Sequence, residues 1–156
     1  MPQMPRVLEI LTADSPQHEM KARTDARAVP GKGLEGDRYF VGLGTFSPKL
    51  AKPDFELTLI ESEKIEDFAR ASGLMFTSFH ARRNIVTEGI DLNELAGKEF
   101  LLGDVRIRGI RLCEPCSYLA KISFPETLSG LLHKAGLRAQ IVSEGVIHVG
   151  DLIRVL

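Results

Sequence analysis

The chain has 156 residues, enough for one domain with a real core, and is 44% hydrophobic and 26% charged. Its formal net charge is −1, so no global basic field attracts nucleic acid or an anionic membrane. Met1-Pro2-Gln3-Met4-Pro5-Arg6 has no apolar core of a secretory signal, and no apolar run reaches the length of a membrane span. These features predict a single cytoplasmic domain over residues 1–156 whose two cysteines are kept reduced.

In chain order, Arg6 to Ala13 reads as a first strand. Pro30-Gly31-Lys32-Gly33 and Gly36-Asp37 are turn chemistry. Thr45 to Pro53 carries two prolines and little pattern, and reads as a loop. Phe55 to Ile60 alternates like a strand. The period then lengthens: Ile65, Phe68 and Ala69 fall at helical spacing, with Ser62 as a cap and Gly73 as a stop, which predicts a helix over 62–72. Asn84 to Thr87 reads as a strand, and Asp91 to Leu95 as one helical turn capped by Asp91 and closed by Gly97.

Two similar patterns follow. Lys98 to Leu102 meets Gly103-Asp104 and then Val105 to Leu112, while Gly145 to Val149 meets Gly150-Asp151 and then Leu152 to Leu156. Each predicts a hairpin with a tight turn, and two hairpins suggest strands closing into a small barrel. Thr127 to Ala135, ending at Gly136, reads as a short helix that contains His133. The fold class expected is mostly β (α+β), a distorted antiparallel β-barrel with a few short peripheral helices.

Gly31-Lys32-Gly33-Leu34-Glu35-Gly36 matches G-x-G-x-x-G, but no helix follows to hold a pyrophosphate and no Ser or Thr follows the lysine. No nucleotide is expected. A plain turn is one reading, and a loop laying Lys32 and Arg38 against an anionic ligand is the other. His80-Ala81-Arg82-Arg83-Asn84-Ile85 sets two arginines and an amide before a strand. That suits phosphate or a planar heterocycle, and equally a solvated basic bend.

Cys113-Glu114-Pro115-Cys116 holds both cysteines of the chain. Pro115 bars the segment from an inner strand, so both thiols sit where a strand ends in a turn. A structural zinc site needs four ligands and one C-x-x-C supplies two, so no zinc is expected. A thioredoxin-like pair opens a helix in a βαβ setting, whereas here a β-hairpin precedes. A reactive or metal-binding thiolate remains, beside the plainer reading of two buried small hydrophobes. Arg111 favours a thiolate and Glu114 opposes it.

Together these residues resemble the MOSC family, the domain named after the C-terminal part of molybdenum cofactor sulfurases. Gly33-Leu34-Glu35-Gly36-Asp37-Arg38 resembles its G-L-x-G-D-R signature, Arg82-Arg83-Asn84-Ile85 its R-x-N-[IL], Cys113 to Cys116 its C-x-x-C, and Gly150-Asp151 its closing turn. The resemblance implies a β-barrel that binds the molybdenum cofactor, a molybdopterin with a phosphate tail. It maps the metal ligand to Cys116, with Cys113 beside it. It maps cofactor contacts to Arg82 and Asn84, with Arg38 and Lys32 as further contacts, and Arg111, near the cysteines in sequence, is expected to be another. Such reductases remove oxygen from small N-hydroxylated compounds. Other members are proposed to carry sulfur as a cysteine persulfide to metal–sulfur centres, with a sulfur donor protein as partner. Glu114-Pro115 stands where the reductases often have a basic residue. No appended ferredoxin-type or desulfurase domain is expected at this length, so a reductase needs an external electron donor.

Overall fold

The computed structural model describes residues 4–16, 18–44 and 55–156. The chain order is β1 (Arg6–Thr12), β2 (Lys21–Arg23), β3 (Asp25–Val29), β4 (Gly33–Leu34), β5 (Leu57–Glu61), α1 (Ser62–Ser72), α2 (Ser78–Ala81), β6 (Ile85–Glu88), a 3-10 turn (Leu92–Leu95), β7 (Glu99–Leu102), β8 (Val105–Leu112), α3 (Ser117–Ile122), α4 (Thr127–Gly130), β9 (Leu137–Ile141), β10 (Gly145–His148) and β11 (Ile153–Val155). The loop expected over 45–53 lies outside the described residues. No helix among the described residues is long and apolar enough to cross a membrane.

Eight strands form one sheet in the order β11-β7-β8-β9-β5-β6-β1-β2, and β10-β3-β4 form a second. All named pairs are antiparallel except β5 with β6. The long sheet curls until its ends approach. Arg6 bridges Leu152, and Ile153 N–H donates to the Pro5 carbonyl at 2.9 Å. No continuous ladder joins these ends, so the mostly-β fold with few short helices is an open half-barrel rather than a closed barrel.

Side-chain alternation explains the layering. Ile10, Leu59 and Ile85 point into the curl with Phe100, Leu102, Ile107 and Leu137. Their neighbours Leu11, Ile60 and Val86 point outward, where Ile65 and Phe68 of α1 cover them with Phe76 and Leu131. All five β5 residues are buried, as a strand covered on both faces requires. Helix α1 forms over the expected span and stops at Gly73 in the left-handed region (φ 74°). Its N-cap is Glu61 rather than Ser62, which is the first helical residue. Asp91 caps the 3-10 turn through Asn93 N–H.

The two Gly-Asp segments differ. The first is a hairpin, pairing Leu102 with Val105 through Glu99 with Arg108. The second is not: β10 pairs with β3 and β11 with β7. Gly150-Asp151 is a corner where the chain leaves one sheet for the other, because partners far away in sequence claim both flanking strands. A Cβ on Gly103 would lie 2.5 Å from the Asp151 carboxylate, so the two turns pack together. The helix expected over 127–135 is confined to α4, and His133 lies beyond it with φ 62°.

Gly136 ties the rim of the half-barrel together. It has φ 104°, a Cβ there would meet the Leu59 carbonyl at 1.9 Å, and its own carbonyl accepts from Cys113 N–H at 2.8 Å. Gly136→Ala is expected to cost on the order of 3 kcal/mol. An unchanged urea midpoint at equilibrium would contradict this.

Candidate functional site

One rim of the half-barrel gathers the end of β8, the starts of β5, β6 and β9, and the turn before β5's partner strands. Cys113 and Cys116 follow β8, and both are free thiols. Cys113 is 1% exposed, whereas Cys116 is half-buried. Contrary to expectation, the motif does open a helix: Cys116 is the N-cap of α3, and its Sγ accepts from Leu119 N–H at 3.4 Å. The strand before it forms antiparallel ladders with β7 and β9, so the setting is still not that of a thioredoxin-like βαβ unit.

Cys113 and Cys116 share a cleft of about 30 Å³ with Arg38, Arg82, Arg83, Arg138, Thr58 and Leu119; Tyr39 and Ile122 complete it. Among the described residues four cations line it and no carboxylate does. Asp37, next to Arg38, is already bound: it pairs with Arg38 at 3.0 Å and accepts from Ala13 N–H at 3.1 Å. This buried pair pins the turn after β4 to the end of β1.

Arg83 is 8% exposed, and a buried guanidinium must find acceptors. Its Nε donates to the Ala135 carbonyl (2.9 Å), and its Nη2 to those of Cys113 (3.2 Å) and Glu114 (3.4 Å). It thus clamps the cysteine loop to the turn before β9. Glu114 adds a second tie on the surface. Its carboxylate accepts from His133 N–H at 2.7 Å and contacts Nδ1 at 2.6 Å.

The other expected residues divide. Arg82 ends α2 in the left-handed region (φ 57°) and donates to the carbonyls of His18 (2.8 Å) and Pro16 (3.1 Å), holding that loop beside the cleft. Asn84 lies behind the wall. Its Oδ1 accepts from Thr58 N–H and Oγ1, both at 3.2 Å, and its Nδ2 donates to the Leu11 carbonyl at 3.1 Å, so it seats Thr58 in the cleft. Lys32 lies over the Phe40 ring, 5.5 Å from its centroid, and is not in the cleft lining. The glycines around it form turns, with φ 80° at Gly31 and 118° at Gly33. Arg111 is exposed on β8 opposite Arg138 and does not line the cleft either. Sequence reasoning flagged the Arg82-Arg83 pair but carried only Arg82 forward as a cofactor contact, and it missed Arg138. An arginine inside the apolar run Leu137-Arg138-Ala139 was the available signal, since a buried strand position needs a reason to be charged.

Beside the cleft opens a groove of about 700 Å³ that shares Arg82 and Ile122 with it. Its size suits a small molecule, for which roughly 300–1,000 Å³ is usual. Among the described residues no three His, Cys, Asp or Glu side chains converge to hold a metal. A metal here would therefore take a single thiol ligand from the protein.

Arg83→Met should free the cysteine loop and cost about 2–4 kcal/mol, because three carbonyls lose their donor. In the native protein a thiol reagent should label Cys116 quickly and Cys113 slowly. In the variant both should react quickly, and persistence of the slow phase would contradict the clamp.

No curated protein sequence matches the chain. Among solved structures, the YuaD protein from Bacillus subtilis superposes with a TM-score of 0.79, at 16% identity, over 98% of this chain and 96% of its own. YiiM from Geobacillus stearothermophilus gives 0.74 at 16% identity, over 97% of this chain and 75% of its own. YiiM from Escherichia coli gives 0.67 at 17%, over 99% and 70%. At these identities the likeness is one of fold. The MOSC domain model matches residues 47–154, a stretch holding both the R-R-N and the C-x-x-C segments just described. With well over half of its length matched and its half-barrel shared, the chain belongs to the MOSC domain family.

Proposed function

We propose that this protein binds the molybdenum cofactor at the cysteine cleft and reduces small N-hydroxylated compounds. One observation carries the reading: the half-buried thiol of Cys116 opens into a cleft lined, among the described residues, by four arginines and no acid. A soft thiolate suits a metal of this kind, and the clustered cations suit an anionic cofactor. The donor set fits the metal end of the group, and the adjoining groove of about 700 Å³ has the room for a pterin that the cleft of about 30 Å³ lacks.

Cys116 would hold the metal. Arg38, Arg82, Arg83 and Arg138 would balance the negative charge, with Thr58 held in place by Asn84. Cys113 is too buried to reach a ligand, and its part is to seat the loop. Lys32 and Arg111, outside the cleft lining, have no direct contact in this reading. Bound there, the cofactor supplies two-electron oxygen-atom transfer. In the overall reaction the N–O bond of the substrate breaks, two electrons and two protons enter, and an amine or amidine and water leave. The electrons come from an external donor protein. The chain's own work is to place the substrate, exclude water and stabilise charge.

Molybdenum and pterin should be near-equimolar with protein made in a cofactor-competent host. Cys116→Ala should lose the metal and all benzamidoxime reduction driven by reduced viologen, and Cys113→Ala should keep most of both. Molybdenum absent from every sample, with a mass gain of one sulfur on Cys116 after desulfurase treatment, would replace this reading by a persulfide carrier.

A further inference from the structure

The outer face of β7, β8 and β11 carries charge that neither the core nor the cysteine cleft uses. Strand β8 alternates buried Val105, Ile107 and Gly109 with exposed Arg106 and Arg108, and exposed Arg111 follows a bulge. Residues directly opposite one another in a ladder share a face. Arg106 stands opposite Leu101, and Leu101 opposite Arg154 of β11; Arg108 stands between Glu99 and Gln140. Arg111 is opposite Arg138, which follows the same face two residues before Gln140. Four exposed arginines thus surround half-buried Leu101. The outer apolar cluster under the helices covers β1, β5 and β6 and includes no residue of β7, β8 or β11.

On the outward positions of β7, β8, β9 and β11, Glu99 is the one carboxylate. It serves both Arg106 at 3.3 Å and Arg108 at 2.6 Å. The hydrogen bond from Arg108 and the charges of Arg108 and Arg106 outweigh desolvation and hold its carboxyl below the usual range. Asp104 lies in the hairpin turn, and Glu144 is tied to Arg27. Like charges set side by side on a sheet repel, so sheet stability does not account for them. An apolar centre with a charged rim is how interfaces are built, and arginine is enriched there while lysine is depleted.

The row leads to the site. Arg138, opposite Arg111, lines the cleft that holds Cys116. From Arg106 to Arg111 the strand covers about 17 Å, at roughly 3.4 Å per residue. That matches a small electron-transfer encounter, whose interface buries less than about 1,200 Å². With a net charge of −1 on the whole chain, attraction of an anion is local to such a face.

We propose that this face docks the electron donor, a small acidic one-electron carrier protein, and that Arg106, Arg108, Arg111 and Arg154 steer it to the Cys116 cleft. Each encounter delivers one electron, and two supply the pair that breaks the N–O bond. This rests on the proposed reductase reading, so the test reads binding as well as turnover.

Flavodoxin, an acidic carrier, is the probe. Metal-free protein should bind it, and Arg106→Gln/Arg108→Gln should raise Kd about tenfold at about 50 mM salt and little at about 500 mM, where the charges are screened. Arg106→Lys/Arg108→Lys keeps the charge and should stay within about twofold of the native value. Arg154→Glu, clear of the Glu99 pairs, should raise Kd about three- to fivefold. In metal-loaded protein the KM for reduced flavodoxin should rise by the same factors, with viologen-driven benzamidoxime reduction unchanged. No flavodoxin binding, or a Kd equal to native in both the Gln and the Glu variants, would overturn the proposal. So would a short single-stranded DNA bound as tightly as flavodoxin, which marks a plain polyanion surface. Arginine-dependent binding in protein that never takes up molybdenum would retain the docking face and remove only the reductase reading.

Discussion

The buried guanidinium of Arg83 is the constraint on which the rim depends. A permanent charge at 8% exposure is tolerated only where its N–H groups are matched. Here the acceptors are main-chain carbonyls from two segments far apart in sequence, 113–114 and 135. One side chain thus fixes where the cysteine loop leaves β8 and where the chain enters β9. The close approach of Gly136 to Leu59 and its bond from Cys113 lock the same junction from the other side. A glycine and an arginine do together what the C-x-x-C segment does not do for itself.

That junction separates two kinds of surface. On one side lies a small cationic cleft in which Asp37 and Arg38 neutralise each other and the other arginines face carbonyls and the thiols. On the other lies an open groove where Met20, Phe79 and Ile122 alternate with His18, Glu19, His80 and Lys121. Arg82 stands between them, its left-handed backbone turning the guanidinium toward the 16–18 loop.

Much of the fold was legible in local pattern. The alternation of β1, β5 and β8, the helical spacing of Ile65 and Phe68, and the Gly73 stop each follow from nearest neighbours along the chain. The failures have two causes. Gly145 to Leu156 has the composition of a hairpin, but β3 and β7 take its two strands. The short helices α2 and α3 went unread because four or six residues carry no helical period. His133 was placed in a helix whose residues turn out of it after Gly130.

The sequence by itself determined the inventory: a cysteine pair after a strand, a run of arginines before another, and a net charge of −1. Local chemistry determines such things, because capping, turns and alternation act within a few residues. The tertiary structure alone decided which thiol faces a ligand, which arginine clamps and which lines, and that Asn84 serves Thr58. These are set by burial and by hydrogen bonds between strands far apart in the chain. The sheet's curl, rather than any motif, brings those groups to one rim.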